Sequence, residues 1–156
     1  MKNIILARVD DRLIHGQITI GWLNKIKVDT IIIIDKELRN NSFLSDMTKQ
    51  AAPDNYRTEI FNTEEFIDYY KDSTMEDILL LSKELKVYEN IQIKKEIFSE
   101  INIGNIGSKD NSKKIYKNVH INTEEKKSIE NLLEKNCSIY VQMLPEDSRI
   151  NIKKLI

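Results

Sequence analysis

Hydrophobic positions along the chain switch between two periods. Short β-branched runs fall at residues 3–9, 28–34, 57–61, 78–81, 100–103, 119–121 and 138–144, each of strand length. Helical spacing fills most of the gaps. Ile18, Trp22 and Ile26 stand at i, i+4 and i+8, and amphipathic stretches follow at 43–51, 64–70, 87–98 and 124–135. The helices after Asn62 and Asn122 both open Asn-Thr-Glu-Glu, a capping residue followed by acids in the first turn. Pro53 closes the second helix. Alternation of this kind predicts an α/β fold with a mainly parallel central sheet and helices on both faces. The wholly apolar run Ile31 to Ile34 fits a strand covered on both sides. No repeat, low-complexity tract or Pro/Gly linker divides residues 1–156, so a single domain is expected, with 104–114 as one exposed loop.

Composition narrows the function classes. At 156 residues the chain can bury a core without staples. Its 24 Lys+Arg balance 25 Asp+Glu, which gives no general pull toward nucleic acid or an anionic membrane. No apolar run reaches the roughly 18–20 residues of a membrane helix, and the N-terminus turns acidic too early for a secretory signal. A cytoplasmic protein is the expectation. The lone Cys137 excludes an internal disulfide and reads as a small buried residue.

Chemistry concentrates in one place. Ligands of α/β sheets bind beyond the carboxyl ends of the strands. The first strand ends near Val9 and runs into Asp10-Asp11-Arg12-Leu13-Ile14-His15-Gly16-Gln17, with a helix expected from about Gly16. His15 therefore stands at a helix start with free N–H groups, near the guanidinium groups of Arg8 and Arg12. Nearby cations favour the neutral, nucleophilic imidazole. The same donors, with the backbone of Gly16 and Gln17, would hold the oxygens of a phosphoryl group on that imidazole. Asp10 and Asp11 read as an ordinary turn, or as partners orienting an arginine or the imidazole's second N–H. One histidine and two carboxylates on one loop match no metal-ligand spacing. Trp22 reads as a packing anchor, His120 as a strand residue, and the glycines of 102–107 as a loop rather than a dinucleotide fingerprint.

The segment from Ala7 to Gln17 strongly resembles the phosphorylation loop of the mannose/fructose/sorbose-family enzyme IIB components of the bacterial sugar phosphotransferase system. The helix tryptophan Trp22, the acid-terminated second strand Ile31 to Asp35, Asn102-Ile103-Gly104 and the last strand before Pro145 fit the same pattern along nearly the whole chain. The resemblance implies a cytoplasmic phosphotransferase that needs no metal or organic cofactor. His15 would accept a phosphoryl group, by family resemblance on Nδ1, from an enzyme IIA partner. It would then pass the group to a sugar bound at membrane IIC/IID components, with no nucleic acid involved. Arg12 is the first choice for charge stabilisation and Arg8 the second, Asp10 orients the loop, and Gly16 and Gln17 complete the phosphate cradle. The alternative is a receiver-like or regulatory phosphate-sensing α/β module. A receiver, however, needs an acceptor aspartate after the third strand, where Phe61-Asn62 stands.

Overall fold

A computed structural model describes residues 1–156. One seven-stranded sheet organises the chain. Its strands are β1 (Lys2–Asp10), β2 (Thr30–Ile34), β3 (Arg57–Phe61), β4 (Glu76–Ser82), β5 (Glu100–Asn105), β8 (Ser138–Val141) and β9 (Ile150–Asn151), in the order β3-β2-β4-β1-β5-β8-β9. All neighbours pair in parallel except β8 and β9, which makes the sheet mixed. Two further strands, β6 (Lys113–Tyr116) and β7 (Val119–Ile121), form an antiparallel hairpin joined to the end of β5 by an Ile106–Val119 bridge.

Five α-helices lie between the strands: α1 (Lys36–Arg39), α2 (Ser42–Gln50), α3 (Thr63–Lys71), α4 (Leu85–Lys94) and α5 (Thr123–Glu134). Asn62 and Asn122 each close a full capping box with Glu65 and Glu125, as their sequence signature predicts. The sheet separates two apolar cores. One joins Val9, Ile34, Leu80 and Ile103 to Phe66 of α3, Tyr88 and Ile91 of α4, and Ile129 and Leu132 of α5. The smaller one joins Ile31, Ile33, Leu79 and Leu81 on the opposite face to Leu13, Ile18, Trp22 and Leu23 from the segment after β1, with Leu38 of α1. Helical elements thus cover both faces, as predicted.

Two local expectations are corrected. The segment after β1 is not a continuous α-helix: it makes a π turn over Gln17–Gly21 and a 3₁₀ turn over Trp22–Asn24. The wider turn lets Ile18, Trp22 and Leu23 all enter the smaller core. Residues 104–114 are also not one loop, since Gly104 and Asn105 finish β5 and Lys113 opens β6.

β1 occupies the middle of the sheet. The chain adds β2, β3 and β4 on one side of it, then crosses over to place β5 on the other. The carboxyl ends of β1 and β5 therefore flank a topological switch point, where α/β sheets form ligand crevices.

Candidate functional site

The segment after β1 turns back on itself directly over that switch point. Leu13 N–H donates to the Asp10 carbonyl (3.0 Å), closing a tight turn. Leu13 adopts φ 56°, a left-handed conformation that costs a non-glycine residue roughly 1–2 kcal/mol. Its buried side chain, 5% exposed in the smaller core, gains a comparable roughly 1.5–3 kcal/mol from leaving water. The reversal brings His15 back over Asp10.

Asp10 is the centre of the site. Its carboxylate is fully buried and accepts from three side chains. Arg12 donates its backbone N–H (3.1 Å) and Nε (3.0 Å) to Oδ1, and Nη2 (3.0 Å) to Oδ2. Arg8 donates Nη2 (3.1 Å) and Nε (3.3 Å) to Oδ2. His15 Nε2 lies 3.0 Å from the same oxygen. Burial alone would raise the Asp10 carboxyl pKa, but the Arg12 hydrogen bond and the Arg8 charge outweigh it and hold it below the ordinary carboxylate value.

That contact decides the state of the imidazole. An ionised carboxylate only accepts, so Nε2 carries the proton and Nδ1 keeps its lone pair. The Gln17 backbone N–H points at Nδ1 from 3.3 Å, consistent with an unprotonated nitrogen there. Burial lowers the His15 pKa, Asp10 opposes it, and the Arg12 and Arg8 charges add to the lowering. The net result is a neutral imidazole at neutral pH. With Arg8 and Arg12 cationic, Asp10 anionic and His15 neutral, the cluster carries one net positive charge.

The sequence candidates separate into two layers. His15, Arg12, Gly16 and Gln17 form the outer one. Arg12 is partly exposed and also donates Nη2 to Gln17 Oε1 (2.8 Å). Gly16 has ordinary helical angles (φ −54°, ψ −39°), and a Cβ built there meets nothing within 4 Å. Arg8 and Asp10 form the inner layer. Arg8 is fully buried, with Nη1 donating to Asn102 Oδ1 (2.6 Å) and the Gln142 carbonyl (2.9 Å). Its guanidinium sits behind Asp10 rather than at the surface, so its charge reaches His15 through the buried carboxylate. Asp11 stands apart: it accepts from Asn105 Nδ2 and Gly107 N–H and ties the loop to the end of β5.

Sequence reasoning did not assemble the floor beneath Asp10. In register, Arg8 pairs with Asn102 on β5, and Asn102 with Tyr140 on β8. On this face the sheet turns polar from β1 outward. Trp22 roofs the polar patch, its ring 5.5 Å from the Arg8 guanidinium and its indole N–H donating to the Met143 carbonyl (2.8 Å). On the other face the Tyr88 hydroxyl bridges the carbonyls of Arg8 (2.9 Å) and Leu80 (3.1 Å), pinning β1 to β4. No group of three or more His, Cys, Asp or Glu side chains is placed to hold a metal ion. Cys137 is buried, which pushes its thiol pKa up to about 12, and His120 lies on β7 against the Ile106 carbonyl. At the end of β3, Asn62 spends its side chain capping α3, so no carboxylate occupies the receiver-type acceptor position.

Comparison with known proteins bears on the family and the fold. The family model of the PTS system sorbose subfamily IIB component matches residues 4–156. The fructose-specific EIIB component of Bacillus subtilis (strain 168) is 25% identical over 151 residues, covering 95% of this chain and 92% of that protein. The sorbose-specific EIIB component of Klebsiella pneumoniae is 25% identical over 153 residues, covering 96% and 93%. Among solved structures, manxB from Thermoanaerobacter tengcongensis superposes with a TM-score of 0.89 at 29% identity, covering 98% of this chain and 94% of that one. The IIBSor domain of the Klebsiella pneumoniae sorbose permease shares the fold, with a TM-score of 0.90 at 23% identity over 97% and 94%. The match spans the loop that carries His15 and every strand of the sheet, and the chain belongs to the sorbose subfamily of phosphotransferase-system IIB components.

Proposed function

We propose that this IIB component carries a phosphoryl group on Nδ1 of His15, taking it from a phosphohistidine on an enzyme IIA partner and delivering it to a sugar held by membrane IIC/IID components. The observation that carries the reading is the Asp10–His15 contact. It commits Nε2 to a proton and leaves Nδ1 as the nucleophile.

In the first step the Nδ1 lone pair attacks phosphorus in line with the donor's P–N bond. The new Nδ1–P bond forms as the donor nitrogen leaves with the old bonding pair. His15 keeps its Nε2 proton throughout, because Asp10 holds it. In the second step a sugar hydroxyl attacks the same phosphorus, the Nδ1–P bond breaks with its electron pair returning to Nδ1, and the hydroxyl proton passes to a base beside the sugar or to solvent. Charge spreads over the three equatorial oxygens in both transfers, so positioned cations and N–H donors supply most of the catalysis. Arg12 serves that role with the N–H groups of Gly16 and Gln17. The Gly16 N–H has no acceptor within the chain, and nothing in the fold itself demands a glycine there. Both facts favour a ligand that approaches the backbone closely.

The IIA partnership draws support from the mannose-specific EIIAB component of Escherichia coli (strain K12). This chain is 22% identical to it over 153 residues, covering 97% of itself but 47% of that longer protein. A chain named for both A and B keeps donor and acceptor in one molecule, which fits a IIB unit that works directly against IIA.

Phosphorylation with the operon's IIA protein followed by peptide mapping tests the reading. One acid-labile, base-stable phosphate on His15 is expected. A phosphate on His120 or Asp11, or no transfer, refutes it.

A further inference from the structure

The Arg8 guanidinium is held without slack. Its Nη1 is shared between Asn102 Oδ1 and the Gln142 carbonyl, and that carbonyl also accepts from Asn102 Nδ2 (3.0 Å). Its Nε and Nη2 face Asp10, and its Cζ lies 5.5 Å from the centre of the Trp22 ring. The fourth wall is Gly104. A Cβ at that position would fall 2.0 Å from Arg8 Cζ and 2.0 Å from Nη2, so the guanidinium occupies the volume of the missing side chain. Gly104 is also where the β1–β5 ladder slips: Val9 pairs with Ile103 but Asp10 with Asn105, leaving Gly104 as the extra residue. Bulges re-aim side chains at strand ends.

We propose that Asn102 and Gly104 are positioning residues for phosphoryl transfer, acting through Arg8 and Asp10 to set the tautomer of His15. This deepens the carrier reading and rests on it. The chain of cause is short. Asp10 accepts four side-chain N–H groups at Oδ2, two of them from Arg8 and one from His15. A guanidinium that shifts sideways takes the carboxylate with it or leaves it short of donors. Either change loosens the Nε2–H contact. A released imidazole exchanges its proton between the two nitrogens, and the fraction with the proton on Nδ1 lacks the nucleophile. Asn102 supplies the acceptor that fixes Arg8 from the far side. Gly104 supplies the room.

The test is nitrogen-15 NMR of histidine-labelled protein, read against pH, for wild type and for Asn102→Leu, Asn102→Asp and Gly104→Ala. Circular dichroism and thermal melts establish that each variant is folded. Wild type should show His15 with its proton on Nε2. Asn102→Leu removes the acceptor and should give a tautomer mixture and a tenfold or larger fall in kcat for transfer from IIA, with KM for the donor little changed. Asn102→Asp keeps an acceptor oxygen and should retain the wild-type tautomer. Gly104→Ala should disturb the tautomer at least as much as Asn102→Leu. Should it fail to fold, the Asn102 pair decides the matter alone. A folded Asn102→Leu protein with the wild-type tautomer and kcat overturns the proposal. The tautomer is read without any partner, so a wild-type protein that IIA never phosphorylates defeats the carrier reading and leaves the positioning result standing.

Discussion

At the scale of single residues, the site divides labour between two arginines, each two residues from Asp10. Arg12 reaches the surface and Arg8 does not. Arg12→Lys should leave folding intact and slow transfer by about 10²–10³, because lysine keeps charge but loses the planar fork that matches phosphoryl oxygens. Single-turnover transfer from phosphorylated IIA measures this, and wild-type rates would remove Arg12 from the chemistry. The pH dependence follows from the lowered His15 pKa. The neutral imidazole predominates at neutral pH, so with His15 as the proposed nucleophile the rate should fall only as pH drops below the ordinary histidine value of about 6.5. The folded state binds fewer protons than the unfolded one in that window, so stability should also fall as pH is lowered through it. A rate profile whose acid limb lies above about 6.5 would contradict the arrangement. Much of the outer layer was legible in the sequence, because histidine, arginine and glycine in one short loop advertise chemistry. Leu13 was not: leucine is the wrong residue to suggest a left-handed turn, and only its burial explains it.

Elements are fixed by groups at the opposite, amino end of the sheet. Glu76 opens β4 and is 8% exposed. It accepts from Lys2 on β1 (2.9 Å), from Thr30 on β2, from Arg57 on β3 and from Tyr69 on α3. Burial would raise its pKa, but the Thr30, Tyr69 and Lys2 hydrogen bonds and the Arg57 charge bring it down to about 2. A depressed carboxyl pKa contributes stability that is complete above the unfolded value and is lost as pH falls through the folded one. Glu76→Gln should therefore destabilise the protein by about 3 kcal/mol at pH 7, with the gap to wild type closing as pH falls from about 4.5 toward 2. Denaturant melts at both ends of that range check it, and a pH-independent gap would show that shape rather than charge matters there. The strands and the capped helices were readable from periodicity and from the Asn-Thr-Glu-Glu openings. The π turn and the β6–β7 hairpin were not, since π geometry has no residue signature and Lys113 and Lys114 look like solvated loop.

For the whole molecule, the proposed carrier role requires meeting two partners in turn and leaving each quickly. The carboxyl end of the sheet offers Lys36 at the start of α1, but Arg39 is already bonded to Glu65 through Nε (2.9 and 3.1 Å), and Lys83 lies 3.5 Å from Asp35. Arg39 therefore brings less free positive charge than the sequence suggests. Steering of a phosphorylated donor should rest on the net positive charge at His15 and on Lys36. The association rate with phosphorylated IIA should fall with added salt, and Lys36→Glu should reduce that rate more than Arg39→Glu. Stopped-flow association at several salt concentrations decides it, and equal effects of the two substitutions would move the steering surface elsewhere. The parallel architecture was legible from strand–helix alternation. The order of strands was not, because no local pattern says that β5 crosses over β1, and that crossing is what builds the switch point.

The smaller core has a consequence of its own. Leu13, Ile18, Trp22 and Leu23 belong both to the loop that presents His15 and to the apolar cluster on that face of the sheet. The loop cannot open without exposing this cluster to water, so the reactive segment and the hydrophobic interior melt as one cooperative unit. Amide hydrogens of Ile18 and Thr19, which bond the His15 carbonyl at 2.9 Å, should exchange nearly as slowly as those of β1. Heat and denaturant should extinguish phosphoryl transfer and native structure at the same midpoint. Adaptation to new partners or sugars must then fall on positions outside this cluster, because a change that retunes the loop's packing also alters the survival of the fold.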